Sequence, residues 1–285
     1  MLQPAPVSSP PALSRTARVL AARRAVATER GSPLGGDPLA HLFADDELLA
    51  LARATADEPH YVLMRHRALE DFALAPPVPR QLVLLGAGLD TKFARRPDLR
   101  GARVLEVDAA DMLAHKAAIL RAHGHPVAEA VPAAITGPAD LDAVLRITDP
   151  ALPTAVIAEG FFMYQPEPAA LAMLAAICRH YTGGLRLGFD LFDPILADDP
   201  EFRRLRAIIE AHGEVFRSFI PPDRVRAHLA PLAADLELRT AEQLLAHYLG
   251  GAWTGMRGLY TCTVTTHPGP PAPALRNLRS TDPAS

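Results

Sequence analysis

Four apolar runs in this chain end at or just before an acid, and that pattern constrains the fold more than any other feature. "QLVLLGAG" leads into Leu89-Asp90, "ARVLEVD" stops at Asp108, "TAVIAEG" reaches Glu159, and "LRLGFDLFD" carries Asp190 and Asp193. Short runs with no polar alternation suit strands buried on both faces. Helical patterns separate them: "AADMLAHKAAILRAHG", stopped by Gly124, and "PEPAALAMLAAICRHYTGG", with proline at its start and glycines at its end. "LYTCTVTT" reads as a late, antiparallel strand. Strand and helix alternating in this way predict an α/β fold, a Rossmann-like, doubly wound and mainly parallel sheet. Ligands of such sheets sit beyond the carboxyl ends of the strands, where strand order reverses. Asp90, Asp108, Glu159 and Asp190 are therefore expected along one edge.

The rest of the chain is organised around that core. Residues 1–12 and 267–285 are rich in proline and read as disordered tails, leaving a folded body over 13–266. Within it, residues 13–75 carry apolar side chains at helical spacing and suit a lid over the sheet edge, while 80–266 form the core. A formal net charge of −3 provides no global field for nucleic acid or an anionic membrane. No apolar run is long enough to cross a bilayer, and the start of the chain lacks the charged-then-apolar order of a signal peptide. A cytoplasmic protein is expected. Cys178 and Cys262 sit in separate apolar segments and read as buried thiols, not as a disulfide or metal site. His123 and His125 have no acid or cysteine at ligand spacing, so they read as a solvated helix end and no metal is expected.

The loop after the first run narrows the ligand. Gly86 and Gly88 allow a tight turn and close approach of the backbone, as in dinucleotide-binding loops, but Thr91 stands where a third glycine belongs. Asp90 adds a carboxylate where a pyrophosphate wants unopposed N–H groups. An acid there suits a cationic or hydrogen-bond-donating ligand. S-adenosylmethionine has that character, with a sulfonium, an α-ammonium and no phosphate. Asp108, at the end of the next strand, is placed to accept from two ribose hydroxyls. Spacing alone also fits a nicotinamide cofactor; Asp90 and Thr91 favour the sulfonium ligand.

The segments "LVLLGAGLDTKFARR", "LEVDAADMLAHKAAIL" and "AVIAEGFFMYQPEPAALAMLAAI", preceded by "DPLAHLF" and "MRHRALEDF", resemble the leucine carboxyl methyltransferase family over roughly residues 15 to 266. That family includes polyketide O-methyltransferases of the tetracenomycin type and the enzyme that methylates the C-terminal leucine of a protein phosphatase. The resemblance implies that Arg65 pairs with the methionine carboxylate of the cofactor, a contact suited to a guanidinium fork. It implies that Gly86 and Gly88 pass under the amino-acid end, that Asp108 binds the ribose and that Glu159 lies near the α-ammonium. Asp90 either holds the loop or joins that contact. Lys116 reads as a solvated, structural lysine, and Arg23 aligns loosely with a basic contact from the lid. One departure stands out. Where the family has Asp-Leu at the end of a strand, to accept from the adenine amine, this chain has Ala134-Ile135. Loss of one partner of a buried polar contact costs ~1–3 kcal/mol.

Methyl transfer from a sulfonium is an in-line displacement, in which orientation alone supplies ~7–11 kcal/mol. A carboxylate acceptor needs no base, whereas a hydroxyl gains ~10²–10⁴-fold from one. Tyr164 is the expected catalytic, substrate-facing hydroxyl, and Phe161 and Phe162 are expected apolar walls. Asp193 and His212 are candidate bases. Arg217, with Phe216 and Phe219, lies on a segment expected to roof the acceptor and bind its carboxylate. These residues predict S-adenosylmethionine-dependent O-methylation of a carboxylate or hydroxyl on a small, polyketide-like or other secondary metabolite. A protein carboxyl methyltransferase, an oxidoreductase and a non-catalytic binding protein are the alternatives. Oligomeric state is not legible.

Overall fold

Alternation within one five-residue strand shows why the sheet is covered on both sides. In β1 (Gln81–Leu85) every residue is buried. Val83 and Leu85 join one apolar cluster, Leu82 and Leu84 another, so successive side chains serve opposite faces. The computed structural model describes residues 15–56 and 60–268, so residues 1–14, 57–59 and 269–285, and with them nearly all of both expected tails, lie outside the described residues.

In chain order, three helices come first: α1 (Arg15–Glu29), α2 (Asp46–Ala54) and α3 (Tyr61–Ala73). After β1 follow α4 (Lys92–Arg95), β2 (Arg103–Asp108), α5 (Ala110–Ala122), β3 (Glu129–Pro132) and α6 (Pro138–Leu145). Then come β4 (Thr154–Ala158), α7 (Glu167–His180), β5 (Leu185–Phe192), α8 (Pro200–Glu210) and α9 (Pro222–Leu229). The described chain finishes with β6 (Asp235–Thr240), α10 (Ala241–Tyr248) and β7 (Leu259–Thr266).

The seven strands lie in the order β3-β2-β1-β4-β5-β7-β6. Six run in one direction; β7 inserts antiparallel between β5 and β6, pairing Leu185 with Thr266 and Phe192 with Leu259. The fold class is the expected α/β one. Strand order reverses between β1 and β4, which places a ligand site at their carboxyl ends.

Helices α6, α7 and α9 bury their apolar sides on one face. Helix α3 covers the other: Leu69, Ala73 and Leu74 pack with Leu82, Leu84 and Ile157. Gly188 in β5 permits this, since a Cβ there would lie 2.9 Å from the Leu69 side chain. The N-terminal segment is thus more than a lid. Helix α3 is a layer of the core, while α1 with the segment to Phe43 covers the β1 loop, packing Ala21, Leu39 and Phe43 with Leu89, Met112 and Leu120.

Candidate functional site

The chain after β1 turns through Gly86 (φ +65°) and Gly88 (φ +46°), the left-handed region that favours glycine. A Cβ at Gly86 would also come within 3.1 Å of the Phe161 ring. Asp108, at the end of β2, reaches into this loop: its carboxylate accepts from the Gly88 N–H and the Ala109 N–H, each at 2.7 Å. The Gly88 N–H that a pyrophosphate would need therefore already serves a carboxylate, and this answers the question posed by the missing third glycine. A carboxylate has about four lone-pair sites, so Asp108 retains acceptor capacity for hydroxyl groups.

Helix α3 supplies the centre of the site. Arg65 donates through Nε (3.2 Å) and Nη2 (3.1 Å) to Glu159 Oε1, and through Nη1 (2.7 Å) to Asp190 Oδ2. Asp190 also accepts the Gly160 N–H at 2.7 Å. His66, the next residue, donates from Nδ1 to Glu159 Oε2 at 2.8 Å. Burial acts to raise the Glu159 carboxyl, but His66 and Arg65 outweigh it and hold the group far below the usual carboxylate range. Asp190 has no solvent exposure, and there burial wins over Arg65 and pushes its carboxyl up. Of the four strand-end acids, Asp90 and Glu159 come together with His66, each offering a polar atom within 4.8 Å of the others, and Arg65 joins Glu159 to Asp190.

Asp90 is held from several sides. Its Oδ1 accepts the Lys92 N–H at 2.7 Å, and Lys92 Nζ pairs with its other oxygen. Burial opposes ionisation, yet Lys92, with His66, Arg24 and Arg95, keeps this carboxylate charged. The Asp90 carbonyl accepts from Lys116 Nζ at 3.1 Å, and Lys116 also pairs with Glu106 at 2.8 Å. Lys116 is 1% exposed, so the expected solvated lysine is instead a buried strut between β2, α5 and the loop.

The cover is fastened to the same loop. Arg24 in α1 donates to the Leu89 carbonyl (2.8 Å) and to Asp37 (2.9 Å), and Asp37 accepts from Thr91. Thr91, the residue that breaks the glycine pattern, is thus the loop's attachment to the cover. Arg24 has this role; Arg23 instead meets His60 across the lid. Behind the loop, Glu70 accepts from Arg95 and Arg96 at 2.9 Å. Sequence reasoning misses His66, Glu70, Lys92, Asp37 and Arg24, because nothing in the pattern separates a buried charge from a solvated one.

On the far side of β4, Tyr164 donates to Glu214 Oε2 at 3.0 Å and lays its ring against Phe216, 5.3 Å between centroids. Burial, then the Glu214 carboxylate, push the Tyr164 hydroxyl well above the ordinary phenol range. The backbone N–H groups of Arg217 (2.7 Å) and Ser218 (3.3 Å) donate to the Met163 carbonyl, which ties this segment to the turn after β4. Several expectations need correcting here. Phe162 is fully buried with its ring edge on Phe189, 5.7 Å away, so it is core and not an acceptor wall. Phe161 is half-buried and covers Gly86, which places it at the loop. The Arg217 side chain is exposed, and Phe216 is the residue of its segment that meets Tyr164. Asp193 caps a helical turn by accepting from the Ile195 N–H, and His212 is exposed at the end of α8, so neither faces the site as a base. Ala134 is exposed, and the Ile135 carbonyl accepts from Gln165 at 2.9 Å.

A cavity of about 530 Å³ lies between the cover and α10, lined by Arg23, Ala27, Leu34, Ala52, Leu63 and Leu249 among others. Ala27, Leu34 and Leu63 also belong to the apolar cluster that takes in Met163 and Tyr164.

These groups fit S-adenosylmethionine. Its ribose diol needs an acceptor such as Asp108, its ammonium needs carboxylates such as Glu159 and Asp90, and its carboxylate needs a guanidinium. Arg65 spends three of five N–H donors on Glu159 and Asp190 and keeps two. Among the described residues no helix is long and apolar enough to cross a membrane.

The protein-family model for leucine carboxyl methyltransferase matches residues 17–178. A protein of Streptomyces avermitilis, provisionally named an S-adenosyl-L-methionine-dependent methyltransferase, is 38% identical over 197 residues, 62% of this chain and 68% of its own length. A Streptomyces coelicolor protein with the same provisional description is 36% identical over 197 residues, again 62% and 68% of the two chains. A crystal structure from Thermobifida fusca, described provisionally as a methyltransferase, superposes with a TM-score of 0.53 over 89% of this chain and 95% of that one. Its 17% identity speaks to the fold alone. With the family match spanning more than half of its length, this chain belongs to the leucine carboxyl methyltransferase family and is an S-adenosylmethionine-dependent methyltransferase.

Proposed function

We propose that the chain methylates an oxygen of a small-molecule acceptor, a hydroxyl or carboxylate on a polyketide-like or other secondary metabolite. Arg65, Gly86, Gly88, Asp90, Asp108 and Glu159 hold the methyl donor, which supplies an electrophilic methyl group on a positively charged sulfur. The carrying observation is the convergence of Arg65, Glu159 and Asp190 at the point where strand order reverses, one turn of chain before Tyr164.

Tyr164 is the acceptor-side residue in this reading. With its hydroxyl pKa pushed up, it stays protonated and does not abstract a proton; its one O–H, given to Glu214 in this structure, turns from that carboxylate to an acceptor oxygen and orients it. The 530 Å³ cavity supports a small acceptor, since sites for drug-sized molecules measure about 300–1,000 Å³ and are mostly apolar. Ala27, Leu34 and Leu63 of its walls belong to the same apolar cluster as Tyr164.

Calorimetry tests the donor: S-adenosylmethionine and its demethylated product should bind, and a nicotinamide dinucleotide should not. Transfer of a labelled methyl group to a panel of phenols, hydroxy acids and aryl carboxylates then tests the acceptor. Label appearing on peptide C-termini and on none of the small molecules would replace this reading with that of a protein carboxyl methyltransferase. Binding with no transfer to either class would remove the reading as an O-methyltransferase of these acceptors.

A further inference from the structure

His66 is buried, touches the site, and has no role in the chemistry so far described. Glu159 has two oxygens to be satisfied. Arg65 holds Oε1, and His66 Nδ1 holds Oε2 at 2.8 Å. A carboxylate only accepts, so the proton of this bond sits on Nδ1. The opposite ring nitrogen, Nε2, is buried without a hydrogen-bond partner among the described residues, and so is Arg95 Nε.

The two residues border one small space. His66 and Arg95, with Arg24, Asp37 and Glu70, line a cavity of about 10 Å³. His66 Nε2 lies 3.9 Å from Glu70 Oε2, and Arg95 Nε lies 3.9 Å from Asp37 Oδ1, both too far for a direct bond. The space suits one water, which needs roughly 10–15 Å³ and two to four polar partners. A water there would offer a partner to each of the unpartnered nitrogens.

We propose that His66 is a positioning residue for donor recognition: it aims the Glu159 carboxylate at the amino-acid ammonium of the methyl donor, and is itself anchored through one buried water to Arg95. This role rests on reading the site as one for S-adenosylmethionine. Without the imidazole, Glu159 keeps Arg65 on one oxygen and has no donor on the other, so its plane is free to turn and the ammonium loses a fixed acceptor. Asp90, within 4.8 Å, remains to hold part of the contact.

A chemical double-mutant cycle reads this directly. S-adenosylhomocysteine and its analogue with hydrogen in place of the amino group are titrated by calorimetry into the wild type, His66→Leu, His66→Asn and His66→Gln. In the wild type, loss of the amine weakens binding. In His66→Leu the amine-bearing ligand weakens about tenfold while the deaminated one changes little, a coupling of ordinary size for neighbouring groups. His66→Asn, whose amide N–H stands near Nδ1, restores most of the discrimination. His66→Gln, which keeps a polar atom at the water end, does not. Should the leucine variant fail to fold, the difference between the asparagine and glutamine variants decides the matter by itself. Equal weakening of both ligands in His66→Leu, or equal behaviour of the two amide variants, overturns the proposal while leaving the donor site intact. Failure of the wild type to bind S-adenosylhomocysteine at all overturns the donor reading and this inference together.

Discussion

A buried carboxylate stays ionised only where nearby cations outweigh the loss of water, and the carboxylates of this site divide on that test. Glu159 and Asp90 are held charged by His66, Arg65 and Lys92, which suits the ammonium-binding role proposed for them. Asp108 differs: it is half-exposed, bonded to two backbone N–H groups, and faces the loop. Hydrogen bonds to charged groups contribute about 1.5–3 kcal/mol, so Asp108→Ala should weaken binding of S-adenosylhomocysteine roughly tenfold to a hundredfold. Titration against the wild type checks this, and unchanged affinity would remove Asp108 from the ribose. Tyr164 calls for the opposite signature. Since its hydroxyl remains a donor across the working pH range, Tyr164→Phe should lower kcat by about tenfold or more, with S-adenosylhomocysteine affinity unchanged. The pH–rate profile should keep its shape. Loss of a rise in rate with pH that the wild type shows would instead make Tyr164 the proton acceptor.

Between elements, the fastenings are buried ion pairs, and their energetics follow a rule that a count of contacts does not. Removing one partner of such a pair costs about 3–5 kcal/mol, whereas replacing both with apolar groups is often neutral or stabilising. Lys116→Met should therefore destabilise the fold strongly by leaving the buried Glu106 carboxyl of β2 without its cation, and adding Glu106→Leu should recover most of that loss. Chemical denaturation of the single and double variants measures it; a double variant as unstable as the single would show that the Lys116 bond to the Asp90 carbonyl is what matters. The same pairs explain what could be read in the sequence. Strands β1, β2, β4, β5 and β7 announce themselves because nearly every side chain in them is apolar or buried. Edge strand β3 has four largely exposed residues, and β6, "DLELRT", alternates charge with leucine, so neither produces an apolar run. Gly86, Gly88, Asp108 and Glu159 are legible because backbone geometry and strand ends demand them. Lys92, Glu70 and Asp37 are not, since only the packing of α1 and α3 against the loop takes them out of water.

At the scale of the whole molecule, that belt of charge ties stability to pH. Glu70 lies where α3, α4 and the loop meet, accepting from Arg95 and Arg96 with Lys92 Nζ 4.0 Å away. Burial alone would raise its carboxyl; Lys92 and Arg95 prevail and bring it from 4.5 down to about 2. A carboxyl whose folded pKa lies below its unfolded value contributes stability that is complete above the unfolded pKa and is lost as pH falls through the folded one. The contribution of Glu70 is therefore whole above about pH 4.5 and disappears towards about pH 2. Asp90 and Glu159 act in the same direction, while Glu106 and Asp190, shifted upward by burial, act against it. Comparison with a variant isolates the one residue from this mixture. Glu70→Gln keeps the shape and loses the charge, so it should melt at a lower temperature than the wild type at pH 7, and the gap between the two should narrow steadily as pH falls below about 4.5. Melting curves taken from pH 7 to pH 3 follow that gap. If it stays constant, the Glu70 charge contributes nothing to the folded state, and α3 is held to the loop by apolar packing alone.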